Sequence, residues 1–182
     1  MAKSVAVIIG SLRSDSINHK LMLALQGLAG DRLEFHPLHI GDLPHYNEEL
    51  WAEPPVSVLR LKDRVEHSDA VLAITPEYNR SYPGVIKNAL DWATRPYGEN
   101  SWMGKPAAVT GTSPGAIGAA MGQAKLKADM LAVGMVMMCA PEAYVQWKPE
   151  AYAADGRVTD EAVAKFLGGF VDNFVAWIEK HG

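Results

Sequence analysis

The stretch Val5-Ala6-Val7-Ile8-Ile9-Gly10-Ser11-Leu12-Arg13-Ser14-Asp15-Ser16-Ile17-Asn18 decides how this chain folds. Five consecutive apolar residues without polar alternation read as a strand buried on both faces. The strand meets a glycine and a polar turn, after which Ile17, Leu21, Ala24, Leu25 and Leu28 recur at helical spacing. A loop that leaves a buried strand and opens a helix points several backbone N–H groups the same way, which suits a phosphate. Gly10 permits the tight turn. Ser11, Ser16 and Asn18 offer donors, and Arg13 offers a bidentate charged contact. On the plainer alternative, Ser11 and Ser16 merely cap the helix and Arg13 stands in solvent.

Working outward, Gly30 ends the first helix and Leu33–Ile40 reads as a second strand. Val58, Leu61 and Val65 mark a second helix after Pro54-Pro55, and Val71–Thr75 is a third strand running into Pro76-Glu77-Tyr78-Asn79. Pro83 is placed to start a helix whose apolar surface (Val85, Ile86, Ala89, Leu90, Trp92, Ala93) is unusually broad. Lys105–Ser113 holds a fourth strand, Gly118–Val133 a helix, and Met135–Cys139 a short buried fifth strand. Thr159 is expected to cap the last helix, with Asp160 and Glu161 in its first turn and Val163, Phe166, Phe170, Phe174 and Trp177 as its core stripe. Five strands alternating with helices predict an α/β three-layer sandwich around a parallel sheet. In the order 2-1-3-4-5, the loops after strands one and three meet at the switch point, and Thr112-Ser113-Pro114-Gly115 closes the same crevice.

The chain has 182 residues, 48% of them hydrophobic, which suits one domain over residues 1–182. A formal net charge of -4 argues against a general nucleic-acid binder. Cys139 is the single cysteine, so there is no intrachain disulfide, thiolate zinc cluster or dithiol pair; it reads as a buried structural residue in a cytoplasmic protein. The N-terminal apolar run is too short for a signal-peptide core, and no later run approaches the roughly 20 residues of a membrane span. His36 and His39 are expected on opposite faces of the second strand, without further ligands, so no metal site is read there.

Gly10-Ser11-x-Arg13-x-x-Ser16-x-Asn18, Pro76-Glu77-Tyr78-Asn79 and Lys87-Asn88-Ala89-Leu90-Asp91-Trp92 occur together and in this order. On these motifs the chain resembles the NADPH-dependent FMN reductase-like family, in its quinone, chromate and azo-compound reductase branch of flavodoxin-like flavoproteins. The resemblance implies bound FMN, its phosphate at Ser11, Arg13, Ser16, Ile17 and Asn18 and its ring against Pro76, Glu77, Tyr78 and Asn79, flanked by Ser113 and Gly115. It implies hydride transfer from NADPH or NADH to flavin N5 and then to a quinone, in ping-pong order, with chromate, azo compounds or free flavin as further acceptors. No catalytic side chain is required. Backbone N–H groups near Tyr78 and Ser113 are expected to steady negative charge on the reduced ring.

A homodimer is also implied, with a tetramer as the alternative, and the broad third helix is its expected surface. Tyr46 and Trp51, in the loop Gly41–Pro55, are candidates to line the acceptor pocket from their own subunit or a partner's; anchoring that loop is the competing reading. Arg80 stands where relatives often carry glycine and would set charge beside the flavin entrance; Ala119-Ala120 replace a common glycine pair. Arg95 is a candidate for an anionic acceptor or cofactor phosphate, or is simply solvated. Two other activities fit the motifs: an FMN-binding electron carrier serving a protein partner, and a reductase that hands free reduced FMN to a monooxygenase. No Gly-x-Gly-x-x-Gly motif marks a nicotinamide dinucleotide site.

Overall fold

The computed structural model describes residues 1–182. Its elements are β1 (Lys3–Ile9), α1 (Ile17–Ala29), β2 (Leu33–Pro37), α2 (Val56–Glu66), β3 (Ala70–Ile74), α3 (Gly84–Ala93), β4 (Pro106–Ser113), α4 (Ala120–Ala132), β5 (Val136–Met137), β6 (Ala143–Gln146) and α5 (Glu161–His181). All strand pairings are parallel, in the order β2-β1-β3-β4-β5 expected from the sequence.

The sheet is buried on both sides because its strands are apolar at odd and even positions alike. Ala6 and Ile8 of β1 face one core with α2, α3 and α4, which contribute Val58, Ile86, Trp92, Leu126 and Met130. Val5, Val7 and Ile9 face the opposite core with α1 and α5, which contribute Leu21, Leu25, Phe170 and Phe174. Each such buried side chain stabilises the fold by about 1.5–3 kcal/mol.

Four expectations need correction. The fifth strand is not the continuous run Met135–Cys139: β5 pairs only with Pro106 and Ala107, and β6 takes over beside Thr110–Ser113. Pro141 lies between the two, and a residue without an N–H cannot continue a ladder. Cys139 falls in this excursion and is exposed, not buried. Asp160, not Thr159, caps α5, its carboxylate accepting from the N–H groups of Ala162 (2.9 Å) and Val163 (3.0 Å). That helix turns Phe166 outward and buries Leu167, Phe170, Val171, Phe174 and Ile178.

The broad face of α3 is not left for a partner: Ile86, Ala89, Leu90, Trp92 and Ala93 are buried within the chain. The loop before α2 covers them. Pro44 O accepts from Trp92 Nε1 at 2.8 Å and from Asn88 Nδ2 at 2.9 Å, and Asn88 Oδ1 accepts from the N–H of Tyr46. No helix is long and apolar enough to cross a membrane.

Candidate functional site

The carboxyl end of β1 is held against its neighbour, since the N–H of Gly10 donates to Ile74 O at 2.9 Å. A Cβ at Gly10 would lie 2.7 Å from Ile86 Cδ1 and 2.9 Å from Pro76 Cδ, so a larger residue would push the loop off β3. Ser16 caps α1, its Oγ accepting from the N–H of His19 at 3.3 Å. The N–H groups of Ile17 and Asn18 make no hydrogen bond within the chain, as befits the first turn of a helix. With the hydroxyls of Ser11 and Ser16 and the guanidinium of Arg13, they line a cleft of about 250 Å³.

An acid also stands at the rim. Asp15 forms an ion pair with Lys20, whose hydrogen bond holds that carboxyl below its ordinary range, with Arg13 contributing in the same direction. Lys20 thereby offsets the carboxylate of the first loop that would repel an anion, as Arg80 does for Glu77 on the second wall. The result is a donor set for a dianion: two free helix N–H groups, two hydroxyls and a guanidinium. This fits an FMN phosphate.

Pro76, Glu77 and Tyr78 form the second wall. The chain then reverses sharply: Tyr78 and Ser81 exchange N–H···O bonds of 2.8 and 2.9 Å, with Asn79 at φ 52° and Arg80 at φ 63°. Two central residues at positive φ are the mark of a type I′ turn, which is why glycine suits position 80. The Arg80 guanidinium turns back onto Glu77 Oε1 at 3.3 Å. Glu77 Oε2 accepts from the N–H groups of Met121 (3.0 Å) and Gly122 (3.4 Å), so one carboxylate ties this loop to the positive end of α4. The N–H of Tyr78 is consumed by the turn, whereas those of Glu77 and Gly115, in the same two loops, make no intrachain bond.

Thr112, Ser113 and Pro114 form the third wall. Asn18, expected as a phosphate donor, is 2% exposed, and its side-chain amide is committed elsewhere. It donates to Thr112 O at 3.2 Å and accepts from the N–H of Thr112 at 3.0 Å, joining the first loop to the third. Below them the fully buried Gln123 directs its Nε2 at Gly118 O (3.1 Å) and Ala143 O (3.2 Å). Gly111 lets β4 pass β3 closely, since a Cβ there would fall 2.0 Å from Thr75 O.

The fold therefore gathers Ser11, Arg13, Ser16, Ile17, Asn18, Pro76, Glu77, Tyr78 and Ser113 on one cleft. Asn79 and Gly115 occupy the adjoining turns without lining it. Tyr46 and Trp51 instead pack edge-on against Trp92, at centroid separations of 4.9 and 5.5 Å, as loop anchors. Arg95 borders a separate groove of about 560 Å³ with Tyr97, Asn100 and Met103. Sequence reasoning passed over Asp15, Thr112 and Pro114 as lining residues, although each lies inside a loop it had singled out.

A doubly wound parallel sheet with an anion cradle after β1 and two further loops over the same crevice defines a flavodoxin-like FMN protein. The model of the family described as NADPH-dependent FMN reductase matches residues 4–149, and the chain belongs to that family. It is accordingly an oxidoreductase working with FMN and NAD(P)H. A quinone reductase of Pseudomonas putida is 45% identical over 97% of this chain and 95% of its own length. A 2-hydroxy-1,4-benzoquinone reductase of Burkholderia sp. is 42% identical over 98% of this chain and 97% of its own. Among solved structures, the flavoenzyme NAD(P)H:(acceptor) oxidoreductase FerB of Paracoccus denitrificans is 77% identical, covers both chains completely and superposes with a TM-score of 0.98.

Proposed function

We propose that this chain reduces quinones with electrons from NAD(P)H, on FMN held in the cleft between the three loops. The observation that carries the reading is the donor set around Ile17 and Asn18: unpaired helix N–H groups, the Ser11 and Ser16 hydroxyls and Arg13, with Asp15 neutralised by Lys20. Arg13 and these donors would hold the phosphate. Pro76, Glu77, Tyr78 and Ser113 would flank the ring, while Asn79 and Gly115 shape the turns beside it. When bound there, FMN would supply two-electron chemistry between a nicotinamide and a quinone at the ring face these residues flank, with chromate, azo compounds and free flavin as lesser acceptors. Tyr78, half exposed, would help select what stacks there, and Arg80, paired with Glu77, would stand at the rim. The quinone reductases of Pseudomonas and Burkholderia support a quinone as the acceptor.

The same reading takes the working form as a cytoplasmic homodimer. Tyr78 and Met121, each about half exposed on the two sides of the Glu77 link to α4, offer apolar surface to a second copy. Light scattering should return twice the monomer mass of 19.8 kDa.

The deciding experiment is a visible spectrum of the desalted protein, repeated after anaerobic NADPH and again after benzoquinone. Flavin bands that bleach and then return support the proposal. Bands that persist with both NADPH and NADH point to an electron carrier, and a colourless protein that fails to bind added FMN overturns the reading.

A further inference from the structure

His36 and His39, set aside above as unrelated, share one cleft. β2 ends at Pro37, so strand alternation stops before His39, and both histidines line a cleft whose other side is α2. There Arg60 and Arg64 stand four residues apart, hence on one face and one turn from each other. With Pro37, Leu38 and Leu61 these four residues line an open cleft of about 210 Å³ beside the edge strand.

Two carboxylates face this group. Asp42 binds Arg60, but both of its oxygens meet the single nitrogen Nη2 (2.7 and 2.9 Å), so Nε and Nη1 of Arg60 remain open. Glu34 lies 3.6 Å from His36 Nε2. Arg64 has no carboxylate within ion-pair distance and lines the cleft with its charge uncompensated. Arg60, with Nε and Nη1 open, and Arg64, without a carboxylate partner, thus offer two guanidinium donors one helical turn apart, a geometry suited to tetrahedral oxyanions.

The cleft is also connected. A neighbouring cleft of about 380 Å³ shares Pro37, Leu38 and His39 with it and reaches Ser11 of the proposed cofactor loop. Since β1 separates β2 from β3, the edge strand stands about 10 Å from β3. A ligand that extends past Ser11 can therefore follow the two clefts to the arginines.

We propose that Arg60, Arg64, His36 and His39 form a binding site for a phosphate monoester dianion. The two sources of that chemistry are the 2′-phosphate of NADPH and a free phosphate-bearing ligand; the first rests on the proposed NAD(P)H reductase function, the second does not.

The test uses the FMN-loaded protein and its Arg64→Ala variant, a change at an exposed position that leaves both cores intact. Inorganic phosphate is titrated while the ring resonances of His36 and His39 are followed by NMR, and KM is measured for NADPH and NADH. Saturable shifts in the parent that are lost in the variant establish the site. A rise of about tenfold in KM for NADPH, with that for NADH unchanged, assigns it to the 2′-phosphate. Saturable shifts with both KM values unchanged assign it to a free phosphate-bearing ligand. Absence of shifts, with equal KM values in parent and variant, overturns the proposal. Phosphate binding in a protein that reduces no quinone would leave this site standing and remove the proposed activity.

Discussion

Asn18 should be worth more to the apoprotein than any phosphate contact it makes. Its amide exchanges two hydrogen bonds with the backbone of Thr112, 94 residues away, in a site where Asn18 is 2% exposed and Thr112 fully buried. Replacement by alanine removes two bonds of about 0.5–1.5 kcal/mol net each and strands a buried N–H and C=O at about 1–3 kcal/mol apiece. These terms overlap, and a central expectation is a loss of about 3 kcal/mol, a large share of the roughly 5–15 kcal/mol that holds a domain together. Asn18→Asp should not rescue the loss, because its carboxylate still accepts from the Thr112 N–H but buries a charge against the Thr112 carbonyl. The assay is urea denaturation of the FMN-free protein followed by tryptophan fluorescence, so that cofactor linkage does not enter. A lower midpoint at unchanged slope in both variants is the expected result. A shift below about 0.5 kcal/mol in both variants would show that the two loops are joined by something else, and the account of Asn18 would fail.

Arg13→Ala should weaken FMN binding by about tenfold or more, read by quenching of flavin fluorescence on titrating the apoprotein, since it removes a charge-assisted contact without touching the core. Ala119 is buried at φ 62°, so Ala119→Gly should raise stability by about 1 kcal/mol in the same urea assay. Gly118→Ala should do the reverse and cost about 3 kcal/mol or more, because at φ 55° its added Cβ would meet the backbone of Val145 and Tyr144 at 2.5 and 2.6 Å. Burial, seconded by Glu142, pushes the Tyr144 hydroxyl from its ordinary 10.0 up to about 12. The raised value means that the stability tied to its neutral form is intact below pH 10 and lost as pH climbs from 10 through 12; Tyr144→Phe should remove that part of the alkaline loss, as read by melts across this range.

Local patterns carried much of the architecture. Continuous apolar runs in β1 and β3, punctuation by Gly30 and Pro83, and the phosphate loop itself are properties of a few adjacent residues, and short-range sterics and burial periodicity suffice to read them. The same holds for the three loops of the site, because in a doubly wound sheet the strand order decides which loops meet. Where local pattern was a weak guide, a long-range partner did the deciding. Phe166 matches the periodicity of α5, yet the orientation of that helix on the sheet buries Leu167 instead. β6 is a four-residue segment that becomes a strand only because the end of β4 needs a neighbour. Asn18 reads as a phosphate donor until Thr112 lies beside it, and Tyr46 and Trp51 read as pocket residues until Trp92 takes them.

The sequence by itself determined the strand and helix alternation, the phosphate loop and the family, because each is written in residues that are neighbours along the chain. Only the tertiary structure decided which donors stay free for a ligand, which are consumed by the scaffold, and that His36, His39, Arg60 and Arg64 share a cleft. Those outcomes depend on hydrogen-bond partners and burial tens of residues away, which spacing along the chain does not encode.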